Sequence, residues 1–197
     1  MVASGANASL LPQNLAKAET LIASAAIVLM QLEIPLETVA YVAGIAAAAG
    51  NTVVLNPAPA REIPEALMRN ISVLTPNKTE AEMLSGITIN NMESAAAAAS
   101  AIRNKGVDIV IITLGSLGAL VVTDTISQLI HAPKVQAVDT TAAGDVFNGA
   151  LAVALSENKP ILEAVTFACH AAAISVTRMG TQASAPYFNE VTIYKEA

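Results

Sequence analysis

The chain has 197 residues, 54% of them hydrophobic and 13% charged, with 16 acids against 10 bases and a net charge of −6. That length and apolar content suit one folded domain with its own core and exclude a disordered chain. The acidic balance and the 3% aromatic content argue against a nucleic-acid surface, which needs clustered Lys and Arg or stacking rings.

One cysteine, Cys169, excludes an intramolecular disulfide, and with only His131 and His170 beside it a zinc cage is not expected. The composition therefore predicts a reducing, cytoplasmic setting. Mean hydropathy is +0.55, but alanine supplies much of it. The longest apolar stretch, Val39 to Ala49, contains Gly44 and is too short to span a bilayer, so no membrane segment is expected. Met1-Val2-Ala3 is followed by Ser, Gly and Asn, with neither a basic nor an apolar leader, so no signal peptide is expected either.

In chain order, Asn14 to Ala23 is predicted as a helix after Pro12, and Ile27 to Gln31 as a strand. Leu36 to Ala49 is a helix that starts near Pro35 and is closed by Gly50. Thr52 to Asn56 is a strand stopped by Pro57 and Pro59, and Ile71 to Thr75 another, stopped by Pro76. Lys78 to Leu84 is a short helix closed by Gly86. Asn91 to Asn104 is a helix ended by Gly106, and its Ala95 to Ala99 run is the one low-complexity stretch. Asp108 to Thr113 is a strand. Ala119 to Thr123 and Ile126 to His131, split by Asp124-Thr125, form a hairpin. Asp145 to Ser156 and Ile161 to Arg178 are helical. Short, wholly apolar strands that alternate with helices imply parallel βαβ units with both sheet faces covered. The expectation is a single α/β domain over 1–197, a three-layer, doubly wound, mostly parallel sheet. Its ligands belong beyond the carboxyl ends of the strands.

The most informative run is Val138-Asp139-Thr140-Thr141-Ala142-Ala143-Gly144-Asp145-Val146-Phe147-Asn148-Gly149. Its small residues let a ligand approach the backbone closely. The run leads into an apolar helix, so its amides stand at a helix N-terminus, where free N–H groups and the helix dipole favour an anion. No Gly-Lys-Ser/Thr follows, so it is not a P-loop. Asp145, at the helix start, is placed to accept a proton from a substrate hydroxyl, and positioned general bases contribute about 100- to 10,000-fold. Spacing alone leaves Asp145 open as an ordinary helix-start carboxylate and Asp139 as a turn former.

VDTTAAGDVFNGAL resembles the signature of the ribokinase family of sugar kinases, the phosphofructokinase-B-type carbohydrate kinases. QLEIPLETV, LNPAPAREIP, LTPNKTEAEMLSGI, VIITLGSLGAL and ISVTRMGTQAS resemble further family segments in the same order, so the likeness covers essentially the whole chain. The resemblance implies an ATP-dependent transfer of phosphate to the primary 5-hydroxyl of a sugar, D-ribose first among the candidates. Asp145 would be the general base, with Ala142, Ala143 and Gly144 as anion-hole amides. Asn77 and Glu80 match the family's N-x-x-E motif, which serves phosphate and hydrated Mg²⁺. Thr113, Gly115, Ser116, Leu117 and Gly118 match the loop lining the ATP site, and Cys169 falls at the adenine side, where a thiol cannot stack as an imidazole would. Glu33 matches a residue on the sugar side. Asp139, Thr141, Ser175, Arg178, Gly180 and Ser184 fall at the positions around K⁺ in the family, mostly through backbone carbonyls.

Each of these positions has a plainer reading. Glu80 and Glu82 suit the solvated face of a short helix, Asn77 suits a helix cap, Gly115 and Gly118 suit turns, and His170 suits an apolar helix. The family's N-terminal third has no counterpart: no Asp-x-Asn stands near the start, no Gly-Gly-Lys-Gly occurs, and Met1 to Asn7 resembles text that begins inside a strand. The expected fold therefore lacks the β-lid and most of the sugar grip, and exposed apolar surface favours self-association into a homo-oligomer. Two other readings stand beside ribose phosphorylation: a kinase for another sugar or nucleoside, and a non-catalytic nucleotide-binding or interaction module. A Rossmann dehydrogenase is excluded, because no G-x-G-x-x-G follows the first strand.

Overall fold

The computed structural model describes residues 5–196, with side chains to residue 192. Contacts divide the chain into two compact units: residues up to 112 together with 122–126, and residues 113–121 together with those from 127 onward.

The first unit is built on four parallel strands, β1 (Ile27–Met30), β2 (Thr52–Leu55), β3 (Val73–Leu74) and β4 (Ile109–Thr113), in that spatial order. Ile27 pairs with Thr52, Val54 with Val73 and Leu74 with Val110. Val53, Val54, Leu55, Val73, Leu74, Val110, Ile111 and Ile112 are all buried. Runs without polar alternation are what a parallel sheet covered on both faces requires. The connections hold α1 (Glu19–Ser24), α2 (Leu36–Ala48), α3 (Glu65–Met68), α4 (Lys78–Ser85) and α5 (Met92–Arg103). On α2 the stripe Thr38, Val39, Val42, Ala43 and Ala46 is buried, the spacing of one helix face. The Asn51 side-chain amide donates to the carbonyls of Ile22 (2.9 Å) and Ala23 (3.0 Å), satisfying the end of α1.

The second unit holds the hairpin β5 (Gly118–Val122) and β6 (Ser127–His131), then α6 (Ala143–Ser156), α7 (Ile161–Ser175) and α8 (Phe188–Glu196). Pro160 caps the start of α7 after a tight turn through Asn158 at φ 58°, which sets α6 and α7 side by side. Their buried faces supply Phe147, Leu151 and Ala154 from α6 and Ala164, Val165 and Ala168 from α7. No helix among the described residues is long and apolar enough to cross a membrane.

The α/β class is as the sequence implied, and several boundaries moved. The expected helix Asn14–Ala23 is instead a 3-10 turn, Pro12–Leu15, followed by α1. The Asn14 side chain folds back to accept from the Leu11 amide (2.8 Å), which tightens the first turn. Gly5–Ser9 is 3-10 rather than strand, and Met1 to Ser4 lie outside the described residues. The helices α3 and α8 were not anticipated, and α7 ends three residues before Arg178.

Candidate active site

Helix α6 starts on Ala142, whose φ of 61° and ψ of 10° place a non-glycine residue in the left-handed region. Such a backbone is held only where its surroundings enforce it, and these positions concentrate at functional sites. The Ala143 amide donates to the Thr140 carbonyl (3.3 Å) and the Val146 amide to the Ala142 carbonyl (2.9 Å), whereas the Gly144 amide has no acceptor among the described residues. Asp145 stands exposed in the same first turn. A Cβ built on Gly144 meets nothing within 4 Å, so the surface at Gly144 itself is open. From the inner side, the buried Asn148 donates its side-chain amide to the Gly144 carbonyl at 2.8 Å and braces that turn. Asn148 was missed in the sequence reading, although a carboxamide in an otherwise apolar helix was the available signal.

The segment leading into α6 is stitched to the chain beyond α7. The amides of Val138 and Asp139 donate to the Val176 carbonyl at 2.7 and 3.2 Å. The Asp139 carboxylate accepts from the Thr141 amide (2.9 Å) and the Gly180 amide (3.2 Å). Hydrogen bonds from Thr141, then from Gly180, hold the Asp139 carboxyl below the usual aspartate range. Three of the six residues expected around a monovalent cation, Asp139, Thr141 and Gly180, are thus joined directly. The Ser175 and Ser184 hydroxyls donate to the carbonyls of Ala172 (2.8 Å) and Thr181 (2.7 Å). Arg178 makes a two-pronged pair with Glu190, at 2.5 and 3.4 Å. With these side chains engaged, what the group offers a cation is backbone carbonyl and leftover oxygen lone pairs. That chemistry fits a monovalent, oxygen-ligated ion.

Two cavities flank the α6 entrance within the second unit. One, about 390 Å³, takes in Thr113, Gly115, Ser116, Gly118, Gly144 and Cys169, which brings together most of the residues expected to line an ATP site. Leu117 does not line it and is largely exposed. Burial pushes the Cys169 thiol up to about 12, so it presents a neutral apolar wall rather than a nucleophile. Gly118 is required by its backbone: φ is 111°, and a Cβ there would stand 2.0 Å from the Ile130 carbonyl oxygen. The other cavity, about 530 Å³, is lined by Ala142 and Asp145 with an apolar floor that includes Phe167 and Phe188.

Asn77, Glu80 and Glu33 lie in the first unit. Asn77 and Glu80 form a reciprocal cap on α4: the Asn77 side chain accepts from the Glu80 amide (2.9 Å), and the Glu80 carboxylate accepts from the Asn77 amide (2.8 Å). Glu80 is only 5% exposed, and burial raises its pKa against the opposing effect of the Asn77 amide. No cluster of three or more His, Cys, Asp or Glu suited to a metal occurs among the described residues, so a divalent ion would depend on water and phosphate for most of its ligands. Glu33 follows β1 and is exposed.

Comparison with known proteins gives the family. Residues 1–187 match the family model described as pfkB family carbohydrate kinase. Ribokinase of Haemophilus influenzae is 45% identical over 196 residues, covering 100% of this chain and 64% of that protein. A crystal structure of ribokinase from Thermotoga maritima matches with a TM-score of 0.91 at 41% identity, covering 100% of this chain and 65% of that one. The structure of Arabidopsis thaliana ribokinase complexed with ribose and ATP matches with a TM-score of 0.94 at 32% identity, covering 98% and 64%. The chain spans about 64% of the length of the curated relative it matches. A family model that runs through nearly the whole sequence makes this chain a member of the pfkB family of carbohydrate kinases.

Proposed function

We propose that this chain carries the nucleotide-binding and base-bearing part of an ATP-dependent sugar kinase, and that the reaction is transfer of the γ-phosphate of ATP to the primary 5-hydroxyl of D-ribose. The observation that carries this reading is the first turn of α6, which presents an unengaged amide at Gly144 and the exposed carboxylate of Asp145 side by side. One group suits developing negative charge on a phosphoryl group, the other a hydroxyl proton.

In this reading Asp145 takes the proton as the sugar oxygen attacks phosphorus. The amides of Ala142, Ala143 and Gly144 face the phosphoryl oxygens. The cavity beside Thr113, Gly115, Ser116, Gly118 and Cys169 holds the nucleoside, and Leu117 belongs to the same loop. Asn77 and Glu80 serve the phosphates and the water shell of Mg²⁺, which supplies charge neutralisation when bound. The oxygens around Asp139, Thr141, Ser175, Arg178, Gly180 and Ser184 hold K⁺, and the loop stitched there carries the anion hole. Glu33 acts on the sugar side. A single domain in the cytoplasm, acting on a small-molecule sugar, completes the proposal.

ADP release by the purified chain with D-ribose, MgATP and K⁺, beside Asp145→Asn, tests it. Ribose-dependent turnover lost in the variant is the expected result. Turnover unchanged by the substitution overturns the base assignment. A second reading, a nucleotide-binding module without catalysis, is favoured by Asn77 and Glu80, whose side chains are engaged in capping α4. MgATP binding with no ADP release, equal in wild type and Asp145→Asn, would select it.

A further inference from the structure

We propose that Glu190, on α8, is a positioning residue for the α6 entrance: through Arg178 it fixes the turn to which that entrance is hydrogen-bonded. This rests on the reading of the entrance as the phosphoryl site given above.

The left-handed backbone at Ala142 has to be enforced by what surrounds it. The contacts can be followed outward from it. The Ala143 amide donates to the Thr140 carbonyl (3.3 Å), and the Thr141 amide to one oxygen of the Asp139 carboxylate (2.9 Å). The other oxygen of that carboxylate takes the Gly180 amide (3.2 Å), and the Val138 and Asp139 amides donate to the Val176 carbonyl. The entrance therefore leans on residues 176–180, which are neither helix nor strand, and Met179 among them is 72% exposed. At its near end this turn hangs from α7, through the Thr177 and Arg178 amides and the carbonyls of Ile174 (3.1 Å) and Ser175 (3.0 Å). Two residues before Gly180, both oxygens of Glu190 take the Arg178 guanidinium, at 2.5 and 3.4 Å. A fork held at both prongs fixes direction as well as distance.

Glu190 is placed in turn by its own element. Its carboxylate accepts from the Tyr187 amide (2.7 Å) at the start of α8. The next residue, Val191, is 2% exposed, and the Phe188 ring stands 5.4 Å from that of Phe167 on α7. A group on a packed helix is held more precisely than one on a loop, and the pair passes that precision to the turn. Glu190 lines neither cavity. Its path to the phosphoryl site runs through Arg178, the Gly180 amide and the Asp139 carboxylate.

Calorimetric titration of the purified chain with tripolyphosphate and with MgATP, well below its melting temperature, tests this. Glu190→Gln should weaken both by a similar factor of at least about threefold, the scale of a change made along such a network. Val191→Ala removes packing under the same helix and spares the ion pair. It should lower the melting temperature and leave both affinities unchanged. Amide exchange followed by NMR gives a readout apart from binding. In Glu190→Gln the Thr141 and Gly180 amides should speed up by a larger factor than that of Ala168, buried in the middle of α7. Arg178→Lys keeps the charge and loses the fork, so it should show a smaller loss of the same kind, and it decides the matter if Glu190→Gln does not fold. Equal weakening in Glu190→Gln and Val191→Ala overturns the proposal, because the entrance would then depend on the stability of α8 and not on the pair. Unchanged affinity and unchanged Thr141 exchange in Glu190→Gln overturn it as well. A folded wild type that binds neither tripolyphosphate nor MgATP overturns the phosphoryl reading of the entrance, and this role with it.

Discussion

The first turn of α6 concentrates two demands on single residues. Ala142 is held at positive φ, and Asp145 stands where the helix dipole favours a carboxylate and where a hydroxyl proton would be taken. If Asp145 is the base, Asp145→Ala should lower turnover by at least about 100-fold and change nucleotide affinity far less. Equal losses in both, read from steady-state rates beside a binding titration, would remove the role. Glu80 separates structure from function in the same way. Its cap survives in Glu80→Gln, since a glutamine oxygen can still accept from the Asn77 amide. The folded state raises the Glu80 pKa through burial, so ionised Glu80 lowers stability as pH climbs from the unfolded value through the folded one. Glu80→Gln should therefore melt no lower than the wild type at pH 7 and lose any advantage in acid. Its MgATP-dependent turnover should fall by about 10- to 100-fold, as when an outer-shell metal partner is lost. A lower melting temperature with unchanged turnover would reverse both assignments.

At the scale of elements, the hairpin and the last helix carry the sharpest expectations. Gly118→Ala meets a backbone that costs other residues about 1–3 kcal/mol and adds a methyl group against the Ile130 carbonyl. Overpacking of that kind costs about 1–3 kcal/mol more, so urea unfolding should show a marked fall in midpoint. Gly144→Ala, with open space around its Cβ, should not. Helix α8 is tied down by Glu190, which takes the Arg178 guanidinium and the Tyr187 amide. The Arg178 hydrogen bond, followed by that of Tyr187, holds the Glu190 carboxyl below its ordinary range. A depressed acid contributes stability above its unfolded pKa and loses it as pH falls through the folded one. Glu190→Gln should thus lower the melting temperature at pH 7, and the two proteins should converge in acid; a constant gap down to pH 3 would place the effect outside the carboxylate. Apolar runs bounded by Pro and Gly made the parallel strands legible, because burial on both faces leaves few alternatives. The four-residue α3 was not legible, since one turn after Pro64 has no periodicity to read. Nor was the cap role of Glu80 separable from a solvated charge, because its burial comes from tertiary packing around α4. The α6 entrance was found through its small residues, but its brace, Asn148, belongs to tertiary packing.

Across the whole molecule, apolar surface is left with little to cover it. Among the described residues β1 pairs with β2 alone, and its four residues are Ile, Val, Leu and Met, with Leu29 38% exposed. An edge of that composition lacks the charged or proline residues that discourage pairing with another chain. The second unit adds the larger cavity, whose apolar lining includes Val146, Val153, Phe167 and Val191, with Val153 and Phe188 a little under half exposed. A net charge of −6 opposes association, and salt screens it. Light scattering over a dilution series should therefore report a mass above the 20.1 kDa monomer that rises with both concentration and salt. Leu29→Lys places a charge on the β1 edge and should return the mass towards the monomer if that edge is the seam. If the edge variant leaves association intact and Val153→Lys abolishes it, the seam lies on the α6 face instead, where a neighbouring copy would stand beside Asp145. A monomer at every concentration and salt would mean that neither surface is sticky enough to overcome the charge, and would remove self-association from the account.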